Sequence, residues 1–166
     1  MAPVTSGYTR FQIILHWAIA LLILFQYVGS EAIEGFVSAV GITSASSSAE
    51  IPLLARAHVL AGLLTFALML VRILMRVTKG APALPEDEDP KMKMVAHATH
   101  GILYLALLLT PISGALAWFG QIELADTVHL ALKFVLLAFV ALHVAGALYH
   151  QFILKNGLIK RMMKAG

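Results

Sequence analysis

The chain has 166 residues, of which 60% are hydrophobic and only 13% charged. A water-soluble domain carries about 25% charged residues, so this composition excludes an ordinary soluble domain, and no nucleic acid is expected as a partner. The formal charge is a modest +3 and cysteine is absent, which excludes disulfides, thiolate metal sites, iron–sulfur ligation and covalent attachment of a c-type haem.

The length suits one membrane domain over residues 1–166 with about four spans, because each crossing takes roughly 20 apolar residues. The first apolar run, Phe11 to Gly29, is longer than a signal-peptide core and is preceded only by Arg10. It reads as a retained span over about 11–28, with His16 inside it. An outer loop rich in Ser, Ala and Gly follows over Ser30–Ala49, and Glu31–Val40 is expected as a short helix on the membrane surface. The second span covers about 53–76 and contains Arg56 and His58. A polar connector with Pro82, Pro85, Glu86–Asp89 and Pro90 comes next. The third span, about 94–119, carries His97 and His100 at its start and Pro111 in its middle, where a kink is expected. The fourth, about 127–154, carries His129, His143 and His150, with Lys155 just beyond it. Only a helix can cross alone with its backbone polar groups paired internally, so the expected fold is all-α, a transmembrane four-helix bundle.

The connecting segments carry charge unequally. Residues 29–52 have no Lys or Arg, only Glu31, Glu34 and Glu50, and residues 120–127 have only Glu123 and Asp126. The opposite ends of the spans hold Arg10, Arg72, Arg76, Lys79, Lys91 and Lys93, with Lys155, Lys160, Arg161 and Lys164 in the tail. The excess of cations on the cytoplasmic side of membrane proteins then places both termini in the cytoplasm.

An ionisable ring inside a span is costly, and its default reading is a functional site with a partner. His129 and His143 are fourteen residues apart, about 40° short of four full turns and ~21 Å along the axis. They share a face at two depths. With the orientation above, His58 is level with His129 near the outer surface, and His16 is roughly level with His143 near the inner one. Two histidine pairs at two depths are what two bis-histidine haems need, and without cysteine such haems are non-covalent. Gly62, Gly146, Ala20 and Ala147, each about one turn from a histidine, leave room for a flat macrocycle. His150 lies seven residues after His143 on nearly the same face; His143 is preferred as ligand because its depth matches His16.

His97 and His100, with His150, Lys155 and Arg10, make a candidate polar cluster on the cytoplasmic side, suited to hydrogen-bonding a quinone carbonyl and passing protons. Arg56 and Lys133 are the only basic residues near the outer face. They are candidates for pairing with haem propionates and for attracting a small anion. Trp118 and Tyr149 suit the two interfacial belts, Trp17 is placed to pack on the inner haem, and the methionines read as packing residues.

These residues carry a family resemblance over nearly the whole chain. The segments are Tyr8-Thr9-Arg10-Phe11-Gln12 leading to His16-Trp17, His58 with Gly62, and Val71-Arg72-Ile73-Leu74-Met75-Arg76. Ala96-His97 with His100 and Leu103-Tyr104, Pro111 with Gly114, and the late histidines with Lys160-Arg161-Met162-Met163 complete them. The sequence resembles the bacterial di-haem cytochrome b561 family of the inner membrane. The resemblance implies two haem b groups on His16, His58, His129 and His143, and electron transfer to ubiquinone. For members of the superoxide oxidase type it implies superoxide as the donor at the outer face. One departure is Asn156-Gly157, where relatives carry an acidic residue. Two other readings remain open on the residues alone. One is an anchor subunit that relays electrons for a larger oxidoreductase, with a peripheral redox partner or a second copy of the chain. The other is a haem-free metal-ion binder using His97, His100 and His150.

Overall fold

The computed structural model describes residues 7–40, 53–80, 82 and 89–166. Four long helices dominate it: α1 Arg10–Val40, α2 Leu53–Lys79, α3 Pro90–Gly120 and α4 Glu123–Phe152, followed by the single turn α5 Leu158–Arg161. All four long helices contain a stretch long and apolar enough to cross a membrane. The chain is a transmembrane four-helix protein, as its composition requires. The expected features at 41–49, Glu50, Pro85 and Glu86–Glu88 lie outside the described residues.

The helix ends differ from the expected spans for local reasons. The helix expected over Glu31–Val40 is not separate, because α1 runs unbroken to Val40. Gly29 and Gly35 weaken a helix by about 1 kcal/mol each but do not end one. α3 starts at Pro90 rather than near Met94. Asp89 caps it, its carboxylate accepting from the Lys91 backbone N–H at 2.7 Å, and proline at the first helical position gives up an N–H that has no partner there. The connection between α3 and α4 shrinks to Gln121 and Ile122. Gln121 takes a left-handed conformation (φ 54°) and its side chain closes the turn on the Trp118 carbonyl at 2.7 Å.

Both ends of the chain meet at one end of the bundle. The Gly166 N–H lies 3.4 Å from the Tyr8 carbonyl, and the Trp17 indole donates to the Met162 carbonyl at 2.8 Å. The C-terminal end of α2 joins them: Gln12 Nε2 donates to the Gly80 carbonyl at 3.1 Å, and Arg72 donates to the Gln12 carbonyl at 3.3 Å. The Lys and Arg residues other than Arg56 and Lys133 are thus gathered at the end that holds the termini, while Glu123 and Asp126 open α4 at the other.

The core is thin. Leu15, Ile19, Met69, Leu103, Ala106, Leu107 and Leu136 form one buried cluster, while Leu21, Leu60, Leu74, Leu105, Phe134 and Phe152 are exposed, as lipid-facing side chains are. Helix α1 packs on α2, α2 on α3 and α3 on α4. Among the described residues, α4 makes close backbone contact only with α3 and α5. It stands away from α1 and α2, and side chains span the interval: the Tyr27 hydroxyl on α1 donates to the Lys133 carbonyl on α4. The histidines face this interval.

Candidate functional site

The structure brings the four histidines together in two pairs across the interval. His58 on α2 and His129 on α4 have ring centres 6.3 Å apart, with planes at 80°. His16 on α1 and His143 on α4 have ring centres 6.2 Å apart, at 73°. Zinc–imidazole bonds run about 2.0–2.1 Å. A similar bond to iron, plus about 1 Å from nitrogen to ring centre on each side, puts two trans imidazoles roughly 6 Å apart between centres. Both pairs fit an axially ligated haem iron in spacing.

The His58–His129 pair borders a cavity of about 740 Å³ lined from all four long helices. Two glycines shape it. A Cβ on Gly62 would come 3.2 Å from Gln26 Nε2, and one on Gly114 would come 2.9 Å from the His129 ring. Gln26 donates to the His58 carbonyl at 3.1 Å, and His129 Nδ1 donates to the Thr110 carbonyl at 2.8 Å. Gln26 Oε1 and Thr110 Oγ1 are buried without a hydrogen-bond partner, and both residues line this cavity. Buried polar atoms are normally satisfied, so two such atoms suit a space that receives a guest with polar groups. The cations expected here part company. Lys133 is half-buried and lines the cavity, whereas Arg56 is exposed and does not. Glu123 and Asp126, legible in the sequence only as a topological signal, line the cavity as well.

At the other pair, His100 joins from α3, its ring centre 5.0 Å from that of His143. Its Nδ1 lies 2.6 Å from the Ala96 carbonyl of its own helix, which leaves Nε2 as the free lone pair. His97, one turn earlier, is exposed. His150 is buried and receives a hydrogen bond from Asn156 Nδ2 at 2.7 Å, with Tyr149 edge-on to its ring. Lys155 is exposed and turns the chain out of α4 with φ 54°. His100 is therefore drawn to the His16–His143 pair and His150 to the chain reversal after α4. A Cβ on Gly146 would meet nothing within 4 Å, so the helix face one turn from His143 is open. Trp17 is 43% exposed and ties α1 to the tail.

Arg72 carries no site role in the sequence, only a topology signal and a place in the segment Val71–Arg76. It is half-buried and donates to the Gln12 carbonyl of α1 at 3.3 Å. Arg76, next to it, lies 5.9 Å over the Tyr104 ring. Only the juxtaposition of α2 with α1 and α3 distinguishes Arg72 from the other cations at that end. Among the described residues, no three His, Asp or Glu side chains gather to hold a bare metal ion.

The profile of the prokaryotic cytochrome b561 family matches residues 7–165. A cytochrome b562 of Cereibacter sphaeroides is 38% identical over 158 residues, covering 95% of this chain and 96% of that protein. A probable superoxide oxidase, CybB, of Yersinia pestis is 29% identical over 177 residues, covering 94% and 95% respectively. With four membrane-crossing helices and histidine pairs that suit an axially ligated iron, the chain belongs to the prokaryotic cytochrome b561 family, membrane proteins that bind haem b and transfer electrons.

Proposed function

We propose that the chain holds two haem b groups in series, an outer one between His58 and His129 and an inner one between His16 and His143. With both bound, the protein would pass electrons from superoxide, at the outer face of the bacterial inner membrane, to ubiquinone near the inner haem. The observation that carries this reading is the pair of imidazole separations, 6.3 and 6.2 Å, at two depths of one bundle. The bound haems supply one-electron redox chemistry. Two superoxide anions release two electrons and leave as two molecules of dioxygen. Ubiquinone takes up those electrons with two protons and becomes ubiquinol.

The chain's own residues orient, attract and supply protons. Helix α4 contributes one ligand to each pair, so a single rigid element fixes both sites. Lys133 in the cavity and Arg56 on the outer surface draw a small anion, against the opposing field of Glu123 and Asp126. The clustered cations beside both termini support a cytoplasmic location for that end, which makes the His16–His143 pair the inner one. There His97, His100, His150 and Lys155 are the candidates for binding quinone and delivering protons. The resemblance implies an acidic residue where this chain has Asn156-Gly157, and neither of these donates a proton to quinone as an acid does. The proton route therefore runs through His150, which Asn156 holds. The substrate assignment draws support from the likeness to the probable superoxide oxidase of Yersinia pestis.

The test is a reduced-minus-oxidised spectrum of the purified protein, recorded after enzymatic generation of superoxide with and without added ubiquinone. Rapid haem reduction followed by quinone-dependent reoxidation is expected. Haem that stays oxidised in superoxide and is reduced only by a co-purifying protein would replace this reading with the anchor-subunit one.

A further inference from the structure

His129 is held differently from the other three histidines of the two pairs. Its Nδ1 lies 2.8 Å from the Thr110 carbonyl oxygen and 3.3 Å from Ser113 Oγ. Ser113 is buried, and its hydroxyl donates to the same carbonyl at 2.9 Å. A carbonyl oxygen only accepts, so Nδ1 carries the proton and Nε2 presents its lone pair. The ring reaches this position because residue 114 is glycine: a Cβ there would stand 2.9 Å from Cε1 and 3.0 Å from Nδ1 of His129. Among the described residues, no acceptor meets a ring nitrogen of His16, His58 or His143.

We propose that Thr110, Ser113 and Gly114 form a positioning clamp on α3 that fixes the tautomer and ring plane of His129 and thereby sets the electron affinity of the outer haem. This rests on the reading of His129 as an iron ligand. An N–H···O=C bond on the far side of an imidazole raises the basicity of its metal-binding nitrogen and so favours the more positive, oxidised iron. The outer haem would then hold its electron less firmly than the inner one, whose ligands meet no such acceptor among the described residues. Electrons run downhill from the outer site to the inner site, and the direction of transfer is built into one turn of α3.

The test uses the purified His129→Gly protein with free imidazoles as replacement ligands. Without an additive, the outer haem loses its low-spin spectrum. Imidazole and 4-methylimidazole keep an N–H opposite the metal-binding nitrogen, and they restore that spectrum at concentrations about tenfold lower than 1-methylimidazole, which has none. The imidazole-loaded outer haem also has the lower midpoint potential. Equal restoration and equal potentials with imidazole and 1-methylimidazole overturn the clamp. An outer haem whose spectrum is unchanged in His129→Gly overturns instead the reading of His129 as a ligand, so the two failures are distinct. If His129→Gly retains no outer haem for the imidazoles to bind, Gly114→Ala in the otherwise intact chain decides. A rise in the outer potential equivalent to about tenfold in its oxidation equilibrium, 59 mV for one electron, with the inner potential unchanged, is the expected result. An outer haem with unchanged potential and electron paramagnetic resonance spectrum overturns the clamp.

Discussion

Burying an imidazole in hydrocarbon costs free energy that a bound metal or a hydrogen-bond partner must offset. His150 has such a partner in Asn156, in the chain reversal beyond α4, and its ring meets Tyr149 edge-on. His150→Ala is therefore expected to leave both haems bound while quinone-dependent reoxidation slows about a hundredfold or more, the range usual for loss of a proton-transferring group. Loss of the inner haem from this variant would make His150 the ligand in place of His143. At the outer face, Lys133 lies in the cavity and Arg56 does not. Lys133→Gln should slow superoxide-driven haem reduction about tenfold at low salt and flatten its ionic-strength dependence, with a smaller effect from Arg56→Gln. Equal rates in both variants and the parent would remove the steering role. The paired residues were legible in the sequence because depth follows from axial rise and face from the 100° turn. The Thr110 carbonyl, Arg72 and the cavity-lining acids were not. A backbone acceptor has no sequence signature, and the other charges already had a sufficient reading as topology signals.

At the scale of helices, α4 does most to define the sites. It contributes His129 and His143 and makes close backbone contact with neither α1 nor α2 among the described residues. The interval that remains is bridged by side chains, and its polar lining shows in the unpartnered Gln26 and Thr110 oxygens. The start of α3 is a separate matter of local stability. Replacing its N-cap, Asp89→Ala, removes one charge-assisted hydrogen bond to the Lys91 N–H and should cost about 1 kcal/mol. The expected result is a modestly lower midpoint of thermal unfolding with both haem spectra unchanged. Four spans were readable from apolar run length alone, whereas helix ends were not. The extension of α1 to Val40 and the reduction of the outer turn to Gln121 and Ile122 depend on helix propensity and turn geometry, which a hydropathy pattern does not contain.

Across the whole molecule, the charge distribution and the meeting of the termini describe one polarity. Apart from Arg56 and Lys133, the cations lie at the end where Gly166 meets Tyr8, and the acids Glu123 and Asp126 lie at the other. The chain has no native cysteine, so single introduced thiols report orientation without background. Gln121→Cys should react with a membrane-impermeant maleimide added to intact spheroplasts, and Lys164→Cys only after lysis. The reverse pattern would invert the inner and outer sites. If two separate histidine pairs each hold a haem, counting the haems reveals it. The purified parent protein should contain two haem b per chain, and His58→Ala and His16→Ala should each contain one, with distinct midpoint potentials for the haem that remains. A parent with one haem per chain, or a folded single-histidine variant that has lost both, would contradict it.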